Sequence, residues 1–190
     1  MKKYLRLIIY IVIFVVIMAL SLFAYEYLGN DYIDEDIKDA GENNNKEQIV
    51  NENKAIDFDM ENSNREKIKL SDYFGKPIVV NFWATWCGPC QAELPHFEEA
   101  YKQYSDDVEF LMVDLTDGYS ETVENTMKYV NDNNYTFPLY FDTEYSAANA
   151  YGLYSIPQTL FIDKDGNIVK KQIGMISENV LKAEIEKLLE

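Results

Sequence analysis

Two cysteines, Cys87 and Cys90, are the only ones in the 190-residue sequence, and Gly88 and Pro89 separate them. The thiolate form of cysteine is both a nucleophile and a metal ligand. A pair at this spacing can therefore exchange disulfides or supply half of a metal site. The surrounding sequence favours exchange. The apolar run Ile78–Trp83 predicts a strand buried on both faces, and a helix is predicted over 89–104. The pair then lies where that helix begins. Free backbone N–H groups and the helix dipole favour negative charge at such a point. They lower a thiol pKa from about 8.5 toward 7 or below. Pro89 suits the first helical turn, where its missing N–H is not needed. Cys90, one turn further in, is expected to be buried.

These placements assign roles. Cys87 attacks a partner disulfide and forms a mixed disulfide, which Cys90 then resolves. The exchange needs no cofactor. A tetrahedral zinc site needs four ligands, and the only other soft ligand is His96, so no metal site is expected. A permanent structural disulfide across so small a loop is not expected either. Trp83 reads as core and Trp86 as a rim facing the partner.

The elements that must position this pair follow from periodicity. Alternation at Ile56, Phe58 and Met60 predicts a first strand, a polar turn follows at 61–65, and a second strand is predicted over 68–70. Ser71 is expected to cap a short helical turn that ends at Gly75 and Pro77. Beyond the cysteine helix come a strand over 108–113, a helix over 121–131, a strand over 139–141 and a short helix over 145–151 ended by Gly152. Strands over 159–162 and 168–173 flank Asp163-Lys164-Asp165-Gly166, a hairpin signal. Ser177 is expected to cap a last helix bearing Leu181, Ile185 and Leu188 on one face. Strands alternating with helices, closed by a hairpin and a helix, give an α/β fold with a mixed central sheet.

The rest of the chain divides in two. Lys2, Lys3 and Arg6 precede an uncharged, largely apolar run over 7–24. Those 18 residues span roughly 27 Å as a helix, close to a bilayer core of about 30 Å. Residues 1–25 are therefore expected to be an uncleaved membrane anchor, with the basic flank in the cytoplasm and the remainder outside. The run is longer than a signal peptide's, and its one small-x-small pair, Ala19 and Ser21, lies inside it. Residues 26–54 carry nine acids against three lysines, hence −6, and include Asn43-Asn44-Asn45. Such a composition predicts a flexible acidic tether. The folded domain is expected over 55–190. The net charge of −16 excludes nucleic acid, whose binders need a basic stripe.

The stretch Val79-Val80-Asn81-Phe82-Trp83-Ala84-Thr85-Trp86-Cys87-Gly88-Pro89-Cys90 resembles the active-site segment of the thioredoxin superfamily. Within it, the chain resembles the membrane-anchored TlpA/ResA-like thiol–disulfide oxidoreductases. The lead-in Leu70-Ser71-Asp72-Tyr73-Phe74-Gly75-Lys76-Pro77, an extra element over 122–135, and Ile156-Pro157 before Thr159-Leu160-Phe161-Ile162-Asp163 carry that likeness. The resemblance implies a thioredoxin fold with an N-terminal strand pair and an inserted helix. It implies that the Ile156–Pro157 bond is cis and that this segment, with Trp86, Gly88 and Pro89, meets the substrate. It also implies that Glu93 lies near the cysteines, as a proton acceptor for Cys90 or a tuner of its pKa; a solvated helix glutamate is the alternative. Pro95 matches a proline that kinks this helix. Asn81 departs from the buried aspartate of cytoplasmic thioredoxins and cannot take a proton. Gln158 departs from the threonine of many relatives.

The function expected is that of an extracytoplasmic protein-disulfide reductase, acting as a monomer on disulfide-containing client proteins such as the haem-site cysteines of apocytochromes c. The Gly-Pro dipeptide is that of thioredoxin, whose potential is about −270 mV. No reductant pool maintains thiols outside the cytoplasm, so the resemblance implies recharging by a membrane electron donor of the CcdA or DsbD type. A disulfide-forming oxidase or isomerase, or a non-catalytic binding module on the same scaffold, remain the alternatives.

Overall fold

The computed structural model describes residues 53–190 together with Phe14, residues 16–18 and Leu20. Those five N-terminal residues are helical and exposed. Among the described residues no helix is long and apolar enough to cross a membrane. Most of the expected anchor (1–25) and nearly all of the tether (26–54) lie outside the described residues. The chain divides into two units, 1–49 and 50–190, and the second carries the cysteines.

Seven strands form one sheet in the order β2-β1-β5-β4-β3-β6-β7. The strands are β1 Asp59–Asn62, β2 Lys67–Lys69, β3 Ile78–Trp83, β4 Glu109–Asp114, β5 Leu139–Phe141, β6 Gln158–Ile162 and β7 Ile168–Ile173. β3 runs parallel to β4 and antiparallel to β6, so the sheet is mixed as expected. Helices α1 (Gly88–Tyr104), α2 (Val123–Asp132), α3 (Ser146–Tyr151) and α4 (Glu178–Leu188) complete the unit.

β3 is central and its six residues are all buried, which explains its unbroken apolar sequence. Alternate side chains go to opposite faces. Val79 and Trp83 join Leu94, Phe97, Phe161, Leu181 and Ile185 in one core. Ile78, Val80 and Phe82 join Phe58, Met60, Leu70 and Leu160 in the other. Asn81 falls on the Val79 face by the same alternation, although it is polar.

The lead-in differs from expectation at two points. Ile56 is 55% exposed and precedes the strand, which starts at Asp59. Only Phe58 and Met60 of the alternating set are buried. Ser71 is not the cap. The 3₁₀ turn Leu70–Tyr73 is capped at Lys69, whose N–H donates to the Asp72 carboxylate at 2.8 Å. Ser71 is instead bound by Asp57 through its N–H and hydroxyl, both at 2.9 Å. A fully buried Leu70 turns the chain inward here, and its N–H donates to Phe58 O.

The hairpin between β6 and β7 forms as its sequence predicts. Gly166 takes φ +80, and a Cβ there would lie 3.0 Å from the Phe74 ring. Only glycine allows both the left-handed turn and this close approach. Ser177 stands at the start of α4 without a capping bond from its side chain, and Leu181 and Ile185 are fully buried.

Candidate active site

Past Trp83 the chain leaves the sheet and turns, with Cys87 N–H donating to Ala84 O at 3.2 Å. Cys87 is the N-cap of α1, and its Sγ accepts from Cys90 N–H at 3.2 Å. Pro89 occupies the first turn. The sequence thus places a sulfur where the unpaired amides of a helix point, which favours its anion. Cys87 and Cys90 are joined as a disulfide, their Cα atoms 5.2 Å apart. Cys90 is fully buried and Cys87 is 5% exposed. Gly88 and Pro89 are exposed. A Cβ added at Gly88 would meet nothing within 4 Å, so glycine is not required there by space.

The Ile156–Pro157 bond is cis, as the resemblance implied. Cys87 Sγ lies 3.8 Å from the carbonyl oxygen of Ile156. Pro157 O accepts from Gly174 N–H at 2.9 Å, which ties the proline turn to the chain after β7. Trp83 is fully buried, as its reading as core anticipated, and Trp86 is 62% exposed. Beside Trp86 a groove of about 470 Å³ runs past Leu115, Asp117, Tyr145, Tyr154 and Ile156. Tyr154 is fully exposed on its wall. Gln158 is buried, and its Nε2 donates to Ser155 O, so it shapes the turn rather than facing a partner.

Glu93 is not a solvated helix residue. It is fully buried, one turn beyond Cys90 on α1. Its Oε1 accepts from Asn81 Nδ2 at 2.8 Å and its Oε2 from Ile176 N–H at 2.8 Å. Burial raises its pKa from 4.5 to about 7, against the opposing pull of the bonds from Ile176 and Asn81. Asn81 Nδ2 also reaches Thr159 Oγ1 at 3.2 Å, across the β3–β6 pairing of these two residues. Asn81 Oδ1 is buried and receives no donor among the described residues. His96, the single histidine, places Nδ1 3.1 Å from Ile176 O. It therefore braces the loop before α4. Among the described residues no cluster of three or more potential ligands could hold a metal ion.

Sequence reasoning missed three residues packed behind the cysteine turn: Thr85, Asp114 and Glu121. Asp114 and Glu121 are fully buried, and Glu121 holds Thr85. The one signal was an acid ending the apolar run of β4.

The description "AhpC/TSA family" matches residues 52–171. The thiol–disulfide oxidoreductase ResA of Bacillus subtilis (strain 168) is 36% identical over 138 residues, covering 72% of this chain and 74% of its own. ResA of Geobacillus thermodenitrificans (strain NG80-2) is 30% identical over 189 residues, 99% of each chain. Among solved structures, StoA from Bacillus subtilis aligns with a TM-score of 0.60 at 27% identity, covering 69% of this chain and 97% of that one. The exposed lipoprotein thioredoxin Etrx1 from Streptococcus pneumoniae strain TIGR4 aligns with a TM-score of 0.60 at 30% identity, covering 70% and 99%.

Proposed function

This chain belongs to the AhpC/TSA family and, within it, to the ResA thiol–disulfide oxidoreductases, and on that premise we propose that it is an extracytoplasmic reductant of client disulfides. The observation that carries the reading is the seat of Cys87. Its sulfur caps α1, accepts the Cys90 N–H, and lies against the carbonyl before a cis-proline at the end of an aromatic groove. That is a nucleophile placed beside a surface an extended client can occupy.

The steps balance as thiol exchange. Cys87 thiolate attacks one sulfur of the client disulfide, forming a Cys87–client bond and releasing a client thiolate. Cys90, ionised with its proton passed to Glu93, attacks Cys87 Sγ and releases the second client thiolate. The client gains two electrons and two protons, and the protein is left as the Cys87–Cys90 disulfide. Glu93 suits this task because its pKa of about 7 lets it accept and return a proton at neutral pH. Trp86, Gly88 and Pro89 form the exposed rim that meets the client, with Ile156 and Pro157 opposite.

The cycle needs a dithiol donor to return the protein to its reduced form. A membrane carrier of the CcdA or DsbD type suits a domain (55–190) held by an anchor (1–25) on an acidic tether (26–54). Oxidised haem-site cysteines of apocytochromes c are the clients we favour. The test is a redox titration of the Cys87–Cys90 couple in defined thiol buffers. A potential near or below about −250 mV supports the reductant. A value of about −120 to −180 mV, the range of oxidases and isomerases, overturns it in favour of disulfide formation or isomerisation.

A further inference from the structure

Thr85 joins β3 to the cysteine turn, and each of its polar groups is held by another side chain. Its N–H donates to Glu121 Oε1 at 2.8 Å and its hydroxyl to Glu121 Oε2 at 2.7 Å. Its carbonyl accepts from Gln91 Nε2. Glu121 takes a third donor, Thr126 Oγ1, at 3.0 Å. Three donors thus converge on one buried side chain.

Asp114 stands behind it, equally buried, with Oδ1 accepting from Thr116 Oγ1 at 2.6 Å. Asp114 Oδ2 receives no donor among the described residues. Burial, and then the neighbouring Glu121 carboxyl, push the Asp114 carboxyl far above the usual carboxylate range.

The placement matters because the grip falls where the sheet pairing stops. The β3–β4 pairing ends at Trp83 opposite Asp114. The backbone of Glu121 is tied toward the groove, since its N–H donates to Asp117 Oδ1 at 2.9 Å and Asp117 lines that groove.

We propose that Glu121 is a positioning carboxylate for the nucleophilic turn: by gripping Thr85 it keeps Cys87 at the N-terminus of α1 and so sets how readily Cys87 ionises and attacks. Glu121 acts through Thr85 and makes no bond to either cysteine. The inference rests on Cys87 being the attacking thiol.

The test uses the reduced full chain. The ionisation of Cys87 is followed by thiolate absorbance, and turnover is followed with insulin as client, in the parent, Glu121→Ala, Glu121→Gln and Thr85→Val. Releasing the turn in Glu121→Ala forfeits up to the worth of a helix N-terminus to a thiolate, moving Cys87 ionisation upward by about one pH unit. Thiolate then falls about tenfold where pH lies below the pKa, its nucleophilicity recovers about threefold, and turnover drops about threefold. Thr85→Val keeps the N–H grip and loses the hydroxyl bond, so it shifts ionisation in the same direction by about half as much. Glu121→Gln still offers an oxygen to the Thr85 N–H. It is expected to recover most of the loss.

Ionisation and turnover matching the parent in both Glu121→Ala and Thr85→Val, whatever their melting temperatures, would overturn the proposal. So would a Glu121→Gln variant as impaired as Glu121→Ala. If Glu121→Ala fails to fold, Thr85→Val decides alone. Cys87→Ser is measured alongside, because activity surviving in it would sink the reading of Cys87 and leave the grip on Thr85 a separate question.

Discussion

Two buried carboxylate sites flank the cysteine turn, and they are built for opposite ends. Glu93 stands alone on α1, holds two donors, and titrates near neutrality because burial outweighs those bonds. Glu121 sits between β4 and α2, takes three side-chain and backbone donors, and neighbours a second buried acid, Asp114. The first can change charge during exchange. The second is tied by its donors to the cysteine turn. Burial alone does not decide what an acid does; the number of donors and the presence of a second carboxyl do.

The largest effect isolates the thiol that both sites serve. Cys87→Ser is expected to abolish insulin reduction while leaving the fold intact, as followed by turnover and circular dichroism. Glu93→Gln breaks the comparison on its mobile side. Resolution of the mixed disulfide in single-turnover measurements should slow about 100-fold, the lower end of what a positioned proton acceptor contributes. The inflection near pH 7 in its rate profile should vanish.

The same variant tests linkage. The native state holds the Glu93 proton up to about pH 7 and the unfolded chain releases it near 4.5, so the native state binds more protons between those values. Stability therefore falls as pH rises through this window, by roughly 3 kcal/mol for a shift of this size. Urea unfolding at the two ends should show that slope in the parent and lose it in Glu93→Gln. An unchanged slope would mean that Glu93 is not the titrating group.

Asn81→Asp sharpens the contrast by making the Glu93 site resemble the other one. Two carboxyls 2.8 Å apart cannot both ionise at neutral pH, so one proton is retained. The inflection of the rate profile should move upward by at least about one unit. The smallest effect is expected at the exposed rim. Gly88→Glu fits without strain and places a negative charge beside the Cys87 thiolate. Reduced protein is then disfavoured, and the potential should become more negative by up to about 20 mV, the worth of a surface charge pair.

Much of this was legible in the sequence, for reasons particular residues make plain. Ile78–Trp83 and Ile168–Ile173 begin and end where read, because a continuous apolar run and a hairpin signal are local. The seat of Cys87 followed from strand, turn and Pro89. The lead-in was harder. Ile56 shares the alternation of Phe58 and Met60, but periodicity cannot tell that its face is open to solvent. Spacing put Glu93 on the face of Cys90, yet its burial depends on Ile176, 83 residues away. Thr85 and Glu121 lie 36 residues apart. Nothing in either residue's neighbourhood announces the contact, since only folding brings the segment before α2 against the turn.

Asn81 has a consequence for how a proton can come and go at Glu93. An amide carries a donor at one end and an acceptor at the other, of nearly equal size. With Glu93 ionised, the donor end faces it and Oδ1 lies idle. Once Glu93 takes a proton it becomes a donor, and a half-turn of the amide presents Oδ1 to receive it. Thr159 can follow, because a hydroxyl gives or accepts by rotating one hydrogen. An aspartate at this position has no donor end to offer when ionised. The substitution that removes one proton carrier from the sheet thus supplies a reversible partner, so that charge can enter and leave a sealed interior while every heavy-atom position stays where it is.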